Sequence, residues 1–151
     1  MAALAFAVSL TIPDNEAFTA REALVRMGLA VETVERADIW RFEVDPAHAD
    51  ALRRELLTIE TIFNPNKHRL AERAGDAPIV GEVWVAPRDE TASMTVAGRR
   101  LPGVTAIRRA TAWRLRATPS EEGAAADADR TVLDRAVTGF LCNPAFQKVL
   151  R

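Results

Sequence analysis

Residues 31–65 are echoed by residues 104–144, and a chain that carries one pattern twice tends to build one structural unit twice. Val31-Glu-Thr-Val-Glu-Arg-Ala-Asp-Ile-Trp-Arg-Phe42 aligns with Val104-Thr-Ala-Ile-Arg-Arg-Ala-Thr-Ala-Trp-Arg-Leu115, so that Trp40 falls on Trp113. Further on, Ile62-Phe-Asn-Pro65 falls on Leu141-Cys-Asn-Pro144, after six extra residues in the second copy. Those six belong to the Ala-rich stretch Pro119–Asp129, where an insertion costs little. Upstream, Pro13-Asp-Asn-Glu16 faces Pro87-Arg-Asp-Glu90, and Arg26-Met27 faces Arg100-Leu101. The repeat unit is roughly 75 residues, a length that is marginal alone and gains from a partner surface. The expected organisation is therefore two domains, 1–77 and 78–151.

Period and punctuation give the elements of the first copy. Leu4–Ile12 alternates, with Phe6, Val8, Leu10 and Ile12 on one face and Ala5, Ala7, Ser9 and Thr11 on the other. Pro13-Asp-Asn then supplies an N-cap at Asp14 or Asn15, and Gly28 stops the helix that follows. Within 31–44 the polar run Glu35-Arg-Ala-Asp38 predicts a turn between strands 30–36 and 39–44, with Trp40, Phe42 and Val44 facing the core. Asp45-Pro46 opens a second helix over 46–63, and Asn64-Pro65 closes it. Residues 67–71 complete the unit as a short edge strand.

The second copy predicts the same order: a strand over 79–86, a helix over 89–101, a hairpin over 104–117, a helix over 127–142 with Leu133, Val137, Phe140 and Leu141 inward, and an edge strand at 147–151. The fold class expected is α+β: two tandem ferredoxin-like (β-α-β-β-α-β) units packed as a pseudo-dimer through their sheets.

Chemistry is scarce. Two histidines, His48 and His68, and one cysteine, Cys142, cannot supply the ligands of a zinc site. No Gly-rich phosphate loop or nucleophile elbow is present. These absences predict no catalytic residue, no metal and no cofactor. The lone cysteine reads as a core residue and excludes a disulfide framework. A net charge of −1 argues against a nucleic-acid partner, and the lack of a long apolar run argues against a membrane one. The expectation is a cytoplasmic protein. Six arginines and no acid lie between Arg99 and Arg116. They read as solvated faces or, alternatively, as a docking surface for an acidic partner or a phosphate.

One family matches these residues in order. A helix ending in Met27-Gly28-Leu29, then Val31-x-x-Val34, an aromatic-aliphatic strand over 39–44, and a helix closed by an aliphatic residue and Asn64-Pro65 resembles the small PurS-type subunit of phosphoribosylformylglycinamidine synthase. That family's second helix typically ends in Leu-x-Asn-Pro-x-x-Glu. The resemblance covers most of residues 4–71, and 79–151 less closely. It implies a non-catalytic subunit that forms oligomers and bridges a glutaminase subunit to a large ATP-using synthase subunit in purine biosynthesis. It also implies partner contacts at the two Asn-Pro corners (Asn64, Pro65, Asn143, Pro144) and at the hairpin tips (Arg36, Asp38, Arg109). Two departures stand out. Ala37-Asp38 and Ala110-Thr111 replace the family's Gly-Lys, and His68 and Gln147 replace its Glu. The alternatives from other classes are a stand-alone ligand-sensing ferredoxin-like module and a small dimeric ferredoxin-like enzyme.

Overall fold

The computed structural model describes residues 1–119 and 125–151. They form a mixed α/β structure, mostly antiparallel sheet with three helices. Part of the proposed insertion, residues 120–124, lies outside the described residues. The elements in chain order are β1 (Ala2–Leu10), α1 (Asn15–Arg26), β2 (Val31–Val44), α2 (Ala49–Leu56), β3 (His68–Arg73), β4 (Glu82–Pro87), β5 (Thr95–Val96), β6 (Arg99–Arg100), β7 (Val104–Ala117), α3 (Ala125–Ala136) and β8 (Gln147–Leu150). Among the described residues no helix is long and apolar enough to cross a membrane.

The chain divides into two compact units. The first holds 1–12, 37–77 and 90–110, and the second holds 13–36, 78–89 and 111–151. Each sequence copy contributes to both, and β2 and β7 each begin in one unit and end in the other.

In the first unit β1 lies between β2 and β3, antiparallel to each. It runs from Ala2↔Val44 to Val8↔Asp38 on one side and from Ala5↔Arg73 to Leu10↔His68 on the other. Phe6, Val8, Trp40, Phe42 and Val44 project into a core closed by Leu52 and Leu56 of α2, by Ile59 and Ile62, and by Val96, Leu101, Val104 and Ile107. Phe6 meets Phe42 edge to face, with ring centroids 5.9 Å apart. Burying each of these large side chains contributes about 1.5–3 kcal/mol. The large face of β1 thus packs on α2, while Ile12, beyond the strand's end, is 53% exposed. Ala5 and Ala7, on the small face, are buried as well.

In the second unit β4 lies between β7 (Glu82↔Arg114 to Val85↔Thr111) and β8 (Trp84↔Leu150 to Pro87↔Gln147), again antiparallel. Ala20 and Leu24 of α1, Leu29 and Val31 share a core with Val83, Leu115, Val132, Leu133, Ala136, Val137 and Leu141. Asp14 caps α1, accepting backbone N–H bonds from Glu16 and Ala17, and Gly28 at φ +87° ends it. Met27, the last residue before Gly28, is 51% exposed.

Five sequence expectations need correction. Residues 31–44 form one unbroken strand rather than two. A tight hairpin needs residues at positive φ, and Glu35-Arg-Ala-Asp38 offers no glycine or asparagine. Residues 104–117 are likewise one strand, for the same reason at Ala110-Thr111. The helix expected over 89–101 is absent. Ser93 pairs with Ile107 through two backbone hydrogen bonds of 2.9 and 2.8 Å, and β5 turns into β6 through Ala97 (φ 50°) and Gly98 (φ 73°). Thr91, Ser93, Thr95, Val96 and Gly98 are weak helix formers, and Ala97-Gly98 accepts the left-handed pair that a two-residue turn requires.

The helix expected over 46–63 is also shorter. A 3₁₀ turn at Pro46–His48 leads into α2, which ends at Leu56. β-Branched Thr58, Ile59, Thr61 and Ile62 disfavour its extension, and the Thr58 hydroxyl donates to the Glu55 carbonyl at 2.7 Å. At the chain's other end α3 widens into a π-turn over Val137–Leu141, which leaves Phe140 47% exposed rather than inward.

Candidate functional site: the two Asn-Pro corners

The two Asn-Pro motifs build the same corner twice. In the first unit the Asn64 side-chain oxygen accepts from the Asn66 backbone N–H at 2.9 Å, an Asx turn. The Asn64 carbonyl accepts from the N–H groups of Lys67 (3.1 Å) and His68 (2.8 Å), and its own N–H donates to His68 Nδ1 at 2.9 Å. In the second unit the Asn143 side chain accepts from Ala145 N–H at 3.0 Å. Its carbonyl accepts from Phe146 (3.1 Å) and Gln147 (2.7 Å), and its N–H donates to Gln147 Oε1 at 2.8 Å. Each asparagine therefore satisfies both ends of a turn that feeds the following strand, β3 or β8. Proline fits because the corner leaves its missing N–H unneeded.

His68 and Gln147, at matching positions of the two corners, each supply a neutral acceptor to the asparagine N–H. Both corners are anchored behind: Thr11 N–H donates to the Lys67 carbonyl, and Arg88 N–H to the Phe146 carbonyl, each at 2.8 Å. The Arg88 side chain also donates to the Pro144 carbonyl. What the corners present outward differs. The first exposes Pro65, Asn66 and Lys67, whereas the second exposes Pro144, Ala145 and Phe146, the last 73% exposed.

The other three candidate residues are not at hairpin tips, because their strands run straight through. Arg36 lies in the second unit, where its guanidinium sits 3.2 Å from Asp14 and 3.4 Å from Glu16. Asp38 lies in the first unit opposite Val8 in the β1–β2 ladder. Arg109, on β7, stacks its guanidinium 4.2 Å from the centre of the Trp40 ring. The candidates thus divide between the units: Asn64, Pro65, Asp38 and Arg109 in the first, Asn143, Pro144 and Arg36 in the second.

Three of the six arginines in the run make intramolecular contacts. Arg99 pairs with Glu55, Arg108 with Glu43 at 3.0 Å, and Arg109 with the Trp40 ring. Each exposed pair is worth at most about 1 kcal/mol, so these contacts orient side chains more than they stabilise the fold. Less exposed is the pair Arg41–Glu90, in which both side chains are more than four-fifths buried. Nearby Asp76 has its pKa held above the ordinary 3.8, chiefly by partial desolvation, with Arg41 and Arg108 pulling the other way. These partners join positions far apart in sequence, and no local spacing signals them. Cys142 packs against the second unit's core. Among the described residues no three His, Cys, Asp or Glu side chains converge as a metal site would require.

No protein-family model matches the sequence, and no curated protein matches it significantly.

Proposed function

We propose that this chain is a non-catalytic bridging subunit of a glutamine-dependent ligase, similar to the PurS-type subunit of phosphoribosylformylglycinamidine synthase, written as a tandem duplication. In this reading each copy derives from a ferredoxin-like unit whose central hairpin has opened into one long strand. Loss of glycine at Ala37-Asp38 and Ala110-Thr111 accounts for the opening.

One observation carries the proposal. The Asn-Pro corner is built twice from equivalent hydrogen bonds, with His68 and Gln147 as the side-chain acceptors. A corner fixed this way loses little entropy on docking, which suits a contact surface for the glutaminase and the large synthase subunits.

The test is a reconstitution. The glutaminase and large synthase subunits from the same source are assayed for glutamine-dependent turnover with and without this protein, with ammonia as the control nitrogen donor. Glutamine-dependent turnover that requires the protein, together with co-elution, is the expected result. Unchanged turnover and no co-elution would discard the bridging role. The second reading, a ligand-sensing ferredoxin-like module, is favoured by a cavity in the first unit.

A further inference from the structure

That cavity is open, about 510 Å³ in volume, and built on the turn from Arg100 to Thr105 together with Asp45 at the end of β2. The volume falls in the range of small-molecule sites. Its frame is stitched by short-range bonds. Asp45 N–H donates to the Gly103 carbonyl at 2.9 Å, Val104 N–H donates to the Leu101 carbonyl at 3.2 Å, and the Gly103 backbone lies against the His48 ring. Met1 and Pro102 make the exposed apolar part of the lining, whereas Leu101 and Val104 are almost wholly buried in the first core.

Two opposite charges border this space without neutralising each other. Arg100 is exposed and, unlike Arg99 and Arg108 beside it, has no ion-pair partner among the described residues. Asp45 spends one carboxylate oxygen on the Ala47 N–H at 3.0 Å. The other is 3.9 Å from His48 Nδ1, and the side chain stays 52% exposed. A phosphate is a poor occupant, because one arginine facing a carboxylate repels a dianion as much as it attracts it. A metal ion would find one carboxylate only. A small ligand that carries both charges and an apolar remainder satisfies every part of the lining.

We propose that this cavity binds a zwitterionic amino acid with an apolar side chain. Arg100 takes the α-carboxylate through its planar fork of donors. Asp45 accepts from the α-ammonium, and Met1 and Pro102 cover the side chain. The proposal does not depend on the bridging role, and its readout is separate from turnover of any complex.

The full chain is titrated calorimetrically with L-leucine, with N-acetyl-L-leucine, which lacks the ammonium, and with L-leucine amide, which lacks the carboxylate. Saturable leucine binding is expected, with both analogues at least about tenfold weaker, as the loss of one charged hydrogen bond implies. R100A and D45N should each lose a similar factor. D45N keeps its cap, because asparagine serves an N-cap as well as aspartate does, and R100A removes an exposed side chain, so both variants fold. Absence of leucine binding at millimolar concentration would overturn the proposal. So would either analogue binding as well as leucine, or either variant binding as well as the unaltered chain.

Discussion

Gly103 and Gly98 share a backbone angle but not an environment, and replacing each with alanine separates two physical costs. Both have φ +73°. A Cβ at Gly98 meets nothing within 4 Å, so G98A carries only the penalty of a left-handed alanine, about 1 kcal/mol. A Cβ at Gly103 lies 2.5–2.7 Å from Cγ, Cβ and Nδ1 of His48, well inside contact distance. Driving the ring away adds about 2 kcal/mol, a typical cost of overpacking, for a total of about 3. For a chain of this length that is a fall in Tm of about 9 °C for G103A against about 3 °C for G98A. Urea melts followed by tryptophan fluorescence read both free-energy costs, and thermal melts read the two Tm shifts. The decisive variant is H48G, because the His48 Cβ itself would lie 2.6 Å from the new methyl group. With the whole side chain removed, G103A should cost no more than G98A does, because only the backbone term remains. Equal costs for the two glycines in the unaltered chain would refute the argument, as would an unchanged G103A cost in the H48G background.

Three further outcomes are expected. Val8→Asp places an unpaired carboxylate at a position 4% exposed in the first core and should abolish soluble folding, which expression and far-UV circular dichroism would show. His68→Gln copies the second corner and should change stability by no more than about 0.5 kcal/mol, whereas His68→Leu strands the Asn64 N–H and should cost about 1–2 kcal/mol in the same urea melts. At Asp76 the folded state holds its proton more tightly than the unfolded one, so the protonated group favours folding at low pH and that contribution is lost as pH rises through the folded pKa. Asp76→Asn should therefore be more stable than the unaltered chain at neutral pH. The difference should vanish as pH falls below 3.8, and a gap independent of pH would contradict the desolvation account.

Much of the local structure was legible because its signals are short. Period-two alternation located the Phe6/Val8 face, Asp14 and Gly28 bracketed α1, and Asp45-Pro46 opened the second helical segment. The echo of Asn64-Pro65 by Asn143-Pro144 located two corners with the same bonding. Both expected hairpins carry a signal against them: Glu35-Arg-Ala-Asp38 and Ala110-Thr111 hold no glycine or asparagine for the positive φ of a tight turn. Over 89–101 the repeat predicts a helix, whereas the β-branched residues and Gly98 oppose one. What no local pattern conveys is which segments share a core. Helix α1 joins Leu133 and Val137 rather than the strand that precedes it, and Leu101 joins Phe6 rather than β4. The ion pairs Arg41–Glu90 and Arg108–Glu43 were hidden for the same reason, since they depend on that non-local assembly.

The chain passes between its two compact units five times. A premature stop after the first copy would strip the first core of Val96, Leu101, Val104 and Ile107, and leave the second with little beyond Ala20, Leu24, Leu29 and Val31. Neither half of the sequence is therefore a spare: removing either one damages both cores, so a cut that looks clean in the sequence is clean in neither core.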